Sequence, residues 1–182
     1  MDNIRLENKL AQLDDIMTHV GYVVQAGHKL CRKLIINNEE DIALQLMKRI
    51  LIHDVSKASP DEFYGMAAFS NDQKSMKDLR VTQTTDGKMK AIKLHWLRND
   101  HHPEFWSSFV PNTLTHSEPL KISEAMDDIA VAEMCCDWYS RSMQFKSNVM
   151  EFYALSKSRW TFTEHQRELI EKYLTMLQDD SM

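Results

Sequence analysis

The sequence has little of what interrupts a helix. Its 182 residues include four glycines and four prolines. That argues against the closely spaced tight turns of a β-sandwich or barrel and suits a helical chain. Cysteine is also scarce, limited to Cys31, Cys135 and Cys136. An odd number with two adjacent implies no disulfide framework, and a reducing cytoplasm is the natural compartment. No run approaches about 18 uninterrupted apolar residues, so no membrane association through a spanning helix is expected. The N-terminal stretch MDNIRLENKLAQLDD is charged throughout and lacks a signal-peptide apolar segment. Positive charge is in deficit: 22 Lys and Arg against 27 Asp and Glu, a net charge of −5. Such a surface does not attract phosphate backbones, which disfavours general nucleic-acid binding. A small anionic substrate stays open, because a metal ion supplies positive charge locally. Internal repeats and low-complexity tracts are absent as well.

What is present fits an ordinary globular protein: 43% hydrophobic and 27% charged residues. The length suits a single domain over 1–182 with a core that needs no disulfide. The pattern predicts an all-α fold of about six to seven helices. Leu6, Leu10, Leu13, Met17, Val20, Val24, Cys31 and Leu34 recur at three- and four-residue steps and predict a first helix over 3–36 with one apolar face. His28 falls on that face. Asn37-Asn38 reads as a break. Glu39, Glu40 and Asp41 favour a new helix start, with Ile42, Leu46 and Ile50 as an inward stripe that extrapolates to His53 and Asp54. Ser59-Pro60-Asp61-Glu62 reads as an N-cap, a first-turn proline and a capping box, followed by Phe63, Met66, Ala67 and Phe69. Residues 70–88 are polar, with a turn at Thr85-Asp86-Gly87, and are the segment expected to move. A helix is expected over 89–99. Residues 105–121 read as irregular but packed through Phe105, Trp106, Phe109 and Val110. A long helix follows from near Ser123 to Trp138, and a last one after Thr163, where Gln166 has capping-box spacing.

Three features carry chemistry. His53-Asp54 sits at the inner end of an amphipathic helix, where imidazole nitrogen and carboxylate oxygen can share one metal. Histidines at 28, 53, 95, 101 and 102 fall on or beside successive helices. Asp137 lies in the apolar stretch AEMCCDW, where a carboxylate needs a metal or an ion pair, Arg141 at i+4 being the simplest partner. Lys57 is placed to meet a substrate phosphate, or is a solvated loop lysine. Glu62 is placed to deprotonate a water, or is only the capping residue. Trp96, Phe105, Trp106 and Trp138 suit either a nucleobase or the core.

The assembled order H…HD…H…H…D resembles the HD-domain superfamily of metal-dependent phosphohydrolases. The blocks HDVSK, HWLRNDHHPEFW and EMCCDW are similar to those of a family of short uncharacterised bacterial and phage proteins. The resemblance implies an HD-type helical fold and a first metal held by His28, His53, Asp54 and Asp137. It also implies a second site of His95 with His101 or His102. His19 competes with His28, and Asp127 and Asp128 compete with Asp137. The cofactor implied is one divalent ion or two, drawn from Mn, Mg, Co, Zn and Fe. The activity implied is hydrolysis of a nucleotide or similar small phosphate ester, with Asp54, Lys57 and Glu62 in catalysis. Two other readings remain: an HD-fold di-iron oxygenase, and a non-catalytic protein that binds a nucleotide or metal. A homodimer is compatible with all of them.

Overall fold

The computed structural model describes residues 4–68, 86–109 and 118–180. Seven α-helices lie among them: α1 (Leu6–Ile36), α2 (Glu40–Ile50), α3 (Pro60–Ala67), α4 (Asp86–Arg98), α5 (Asp128–Phe145), α6 (Val149–Ser156) and α7 (Glu164–Gln178). Among the described residues, strand is confined to a two-residue parallel ladder, β1 (Leu120–Lys121) beside β2 (Trp160–Thr161). The fold is all-α. No helix of the described residues is long and apolar enough to cross a membrane.

The chain reverses between α1 and α2 at Asn37-Asn38. Asn38 is left-handed, with φ 62°. Asn38 N–H donates to Ile35 and Glu39 N–H to Leu34, a Schellman arrangement that satisfies the last carbonyls of α1. α5 is central. Its residues from Ile129 to Cys136 are all buried, as a helix enclosed on every side requires. α1, α2 and α7 pack around it through Val23, Leu30, Leu46, Ile170 and Leu174. Thr163 and Gln166 form the capping box of α7. Asp127 caps α5, accepting from Ala130 N–H, so that helix starts at 128 rather than near Ser123. α6 has no counterpart in the sequence reading.

Other expectations change. Asp86 and Gly87 lie within α4 rather than in a turn; residues 70–85, Phe69 and Val110 fall outside the described residues. The capping box at Ser59 does not form. Glu62 turns inward instead, to Ser56, His95 and Arg98. On α1 the buried face is Asn8, Gln12, His19, Val23, Ala26, Gly27, Leu30, Lys33 and Leu34, while Leu6, Leu10, Leu13, Met17 and Val24 are exposed. The apolar stripe is therefore core only toward its C-terminal end. Polar residues replace it on and beside the packed face, where they bond across helices: Gln12 donates to Met66 Sδ of α3, and the half-buried Asp15 accepts from Arg141 and Gln144 of α5.

Gly27 marks the crossing of α1 and α2. A Cβ placed there would lie 2.6 Å from Ile50 Cγ1 and 2.9 Å from its Cγ2, whereas one at Gly21 meets nothing within 4 Å. Both substitutions gain about 1 kcal/mol of helix propensity, and overpacking at Gly27 costs about 1–3 kcal/mol. Gly21→Ala is thus expected to raise the urea midpoint and Gly27→Ala to lower it. In an Ile50→Ala background the Gly27→Ala loss is expected to shrink, a coupling that equilibrium unfolding measures.

Candidate metal centre

The α2 helix ends in a turn that aims two adjacent side chains at one point. In a continuing helix His53 and Asp54 would diverge by about 100°. Asp54 instead adopts a left-handed backbone, φ 58°, and a short 3-10 turn, Val55–Ala58, follows. Such a conformation is uncommon outside glycine, although Asp tolerates it better than most residues. It leaves both His53 and Asp54 buried.

Asp54 is the hub. Its Oδ2 lies 3.2 Å from His19 Nε2 and 3.4 Å from His53 Nε2. Its Oδ1 lies 3.3 Å from His95 Nε2 and 3.5 Å from His101 Nε2. Asp137 Oδ1 stands 2.9 Å from His19 Nε2 and 3.9 Å from His53 Nε2. His102 Nε2 approaches His95 Nε2 at 2.8 Å. Two groups result, sharing Asp54: His19, His53, Asp54 and Asp137 on Oδ2, and Asp54, His95, His101 and His102 on Oδ1.

These contacts are not an ordinary hydrogen-bond network. Despite these approaches, His19 Nε2, His53 Nε2, His101 Nε2 and Asp54 Oδ1 are buried and make no aligned hydrogen bond among the described residues, although a charged or lone-pair atom left so costs several kcal/mol. Most of the separations match the edges of a coordination polyhedron. Ligands about 2.1 Å from an ion stand about 3.0–3.4 Å from one another. Nitrogen and carboxylate oxygen suit Zn, Mn, Fe or Co. The residues present therefore fit one divalent cation in each group.

The second nitrogen of four of these imidazoles is anchored. Glu133 Oε1 is 2.8 Å from His53 Nδ1 and 3.3 Å from His101 Nδ1, and Arg49 Nε donates to its Oε2 at 2.6 Å while also pairing with Asp100. Glu62 Oε2 is 3.0 Å from His95 Nδ1. His19 Nδ1 is 3.2 Å from Ser140 Oγ. A partner on Nδ1 fixes ring orientation and leaves Nε2 for a metal. His53, His101 and Glu133 also lie close enough to hold an ion by themselves. Their Nδ1 atoms are already engaged by Glu133, so that carboxylate orients the two ligands.

Charge follows geometry. Burial opposes protonation of His53, but the charge of Asp54, with Glu133 and Asp137, outweighs it and raises the imidazole to about 10. Burial alone would raise Asp54; the Lys57 and His53 charges hold it well below the carboxylate range. Burial also works against Asp137, which His19 and His53 nonetheless hold low. Burial depresses His95, and burial with the charges of His101 and His95 depresses His102 strongly. Both shifts favour the neutral ring that a metal would require.

The structure brings His53, Asp54, His95, His101, His102 and Asp137 together, and leaves His28 out. His28 is exposed. It follows His19 by nine residues, about two and a half turns, and so points from the opposite side of α1. His19 takes the place expected for His28. Asp127 and Asp128 also lie elsewhere, the first as a cap and the second beside His165. Arg141 pairs with Asp15, leaving Asp137 to the histidines. Lys57 is buried, its Nζ 2.5 Å from Asp54 Oδ2, rather than solvated. Both oxygens of Glu62 are engaged, Oε2 by Ser56 and His95 and Oε1 by Arg98, which suits it to position the His95 ring. Trp96 and Trp138 are buried, Trp138 stacked on Trp160 with centroids 5.5 Å apart. Trp106 donates to the Asp100 carbonyl, and Phe105 is exposed.

Sequence reasoning missed Glu133 and Arg49. Glu133 precedes Asp137 by one turn, and that i,i+4 spacing within an apolar stretch was its signal. Nothing in the spacing of Arg49 pointed to it.

The chain belongs to a family of unknown function, DUF5662, whose model matches residues 8–179. No curated protein matches it, and no solved structure does.

Two outcomes test this arrangement. His53 titrates near 10 in the folded protein against an ordinary 6.5. Its protonated form therefore stabilises the metal-free protein fully below pH 6.5, and that contribution is lost as pH rises through about 10. A metal held by His53 would displace this proton, so Mn²⁺ titration at pH 7.5 is expected to release about one proton per chain. Calorimetry in buffers of different ionisation enthalpy measures it; identical heats would contradict the assignment. Glu133→Gln is expected to weaken metal binding by about 10–100-fold, read by competition with a chelator, with helicity unchanged by circular dichroism.

Proposed function

We propose that this DUF5662 protein is a metal-dependent phosphohydrolase of the HD-domain type, acting on a nucleotide or a similar small phosphate ester. One observation carries the reading: buried, partnerless Nε2 atoms of His19, His53 and His101 converge on the two oxygens of Asp54. Helical cores do not otherwise keep such a set, because each group loses solvation without recovering it. His19, His53, Asp54 and Asp137 would hold one ion, and Asp54, His95 and His101 or His102 a second. When bound, such ions lower the pKa of water, polarise phosphoryl oxygens and offset the charge that develops in hydrolysis.

The chain's own residues do the rest. Asp54 joins the two groups through separate oxygens and fixes their spacing. Glu133 and Glu62 hold imidazole rings that would otherwise rotate. Lys57 brings an ammonium group to Asp54 Oδ2, the position from which it would meet an anionic oxygen of a substrate. Asp137, with 14% of its side chain exposed, and the half-buried His102 lie toward the open side of the cluster. A substrate phosphate would enter there. The net charge of −5 leaves attraction of that phosphate to the ions and Lys57.

The bridging position of Asp54 also supports a second reading, a di-iron protein that activates oxygen. The same nitrogen and carboxylate set suits iron. Metal analysis of anaerobically purified protein separates the two: two irons per chain with oxygen-dependent turnover would replace the hydrolase.

Phosphate release from a nucleotide panel under Mn²⁺, Co²⁺ or Mg²⁺ is the expected result. Asp54→Asn and His19→Ala are each expected to fall to background, and His28→Ala to keep full activity. Loss in His28→Ala with retention in His19→Ala would reverse the ligand assignment. No release with any nucleotide and any of these metals would sink the hydrolase.

A further inference from the structure

The stripe on α1 that the core leaves uncovered keeps a regular repeat. Leu6, Leu10, Leu13, Met17, Val20 and Val24 are spaced 4, 3, 4, 3 and 4 residues apart, and Gly27, Cys31 and Leu34 continue the alternation. That is the a/d seam of a two-helix coil, which only another helix fills well. The fold fills its last third with α2. The side chain of Ile50 sits where a Gly27 Cβ would be, Cys31 donates to the Ala43 carbonyl at 3.3 Å, and Leu34 is buried. α2 is only 11 residues long and ends there. Beyond its end, Leu6, Leu10, Leu13, Met17 and Val24 remain between 41% and 72% exposed.

Charge selects the occupant. With Leu10 and Met17 at a, Lys9 occupies g and Asp14 occupies e. In a parallel pair g meets e of the following heptad on the partner, so Lys9 faces Asp14 of the second helix twice over. In an antiparallel pair the two Asp14 side chains would face each other, a like-charge contact. Glu7, Asp14 and Asp15 on this half of the helix also oppose docking on an anionic lipid surface. Lys9 and Asp14 have room to pair. Asp14 is exposed, and Lys9 is half-buried, its Nζ over the Tyr64 ring at 5.7 Å from the centroid. We propose that α1 is the dimerisation helix, pairing in parallel with α1 of a second copy of this chain along Leu6, Leu10, Leu13, Met17, Val20 and Val24. The metal centre lies on the other side of α1, so each copy keeps its own.

Sedimentation equilibrium of the full chain is expected to give twice the 21.3 kDa chain mass, falling toward the monomer on dilution. Leu10→Glu with Met17→Glu is expected to give a monomer with unchanged helicity. Lys9→Glu is expected to weaken the dimer by about two- to tenfold, and adding Asp14→Lys to restore it. Because d residues face their own copies in a parallel pair, Leu13→Cys is expected to cross-link to itself under mild oxidation where the unsubstituted chain does not. This cross-link reads the pairing even if the double glutamate variant fails to fold. A chain that stays monomeric at every concentration would overturn the proposal. So would a dimer that survives both glutamates, a Leu13→Cys dimer that does not cross-link, or a monomer that pellets with lipid vesicles.

Discussion

The carboxylate of Asp54 is the constraint around which the molecule is arranged. It is buried beside four imidazoles and the Lys57 ammonium. Those groups come from α1, the end of α2, α4 and the His101 turn, and Asp137 of α5 closes the ring. A carboxylate withdrawn from water this far is tolerable only where positive charge or a metal replaces its solvation. Each helix that supplies a neighbour to it is therefore held in register by that one oxygen pair. The left-handed backbone at Asp54 is strain of the kind retained at sites of function.

A second shell of charge supports the first. Arg49 neutralises Glu133 and Asp100 together, and Arg98 neutralises Glu62. Without these arginines, the two orienting carboxylates would add negative charge beside Asp54 and Asp137. The imidazoles would then be drawn toward protonation, a form that cannot ligate. The arginines thus act on the cluster at one remove, by setting how much negative charge the histidines feel.

Much of this was legible in the sequence, and the parts that were not have physical causes. The HD pair could be placed because Ile42, Leu46 and Ile50 define the phase of α2 and His53 continues it. Asp137 stood out as an acid inside an apolar run. His19 did not, because on α1 hydrophobicity and burial are out of phase. The face carrying His19 begins with buried Asn8 and Gln12, Gln12 donating to Met66 of α3 and the neighbouring Asp15 accepting from α5, while Leu6, Leu10 and Leu13 lie exposed. A reading that equates apolar with inside must then choose His28. Glu62 showed the opposite ambiguity: capping-box spacing and an inward carboxylate look alike along the chain, and only the position of His95 separates them. The helix α6 was missed because it is short and its apolar residues have no clear period.

The residues of the cluster are far apart along the chain. More than half of it lies between His19 and Asp137, and Asp54, His95 and His101 are strung between them. During synthesis, the early segments emerge with histidines and an unneutralised aspartate but with no α5 to pack against. The cluster can assemble only once α5 has been made, after the long-range contacts that slow folding have closed. Until then the nascent chain exposes only parts of the cluster, and an ion held by it would be bound fully on completion of the helical core rather than at its beginning.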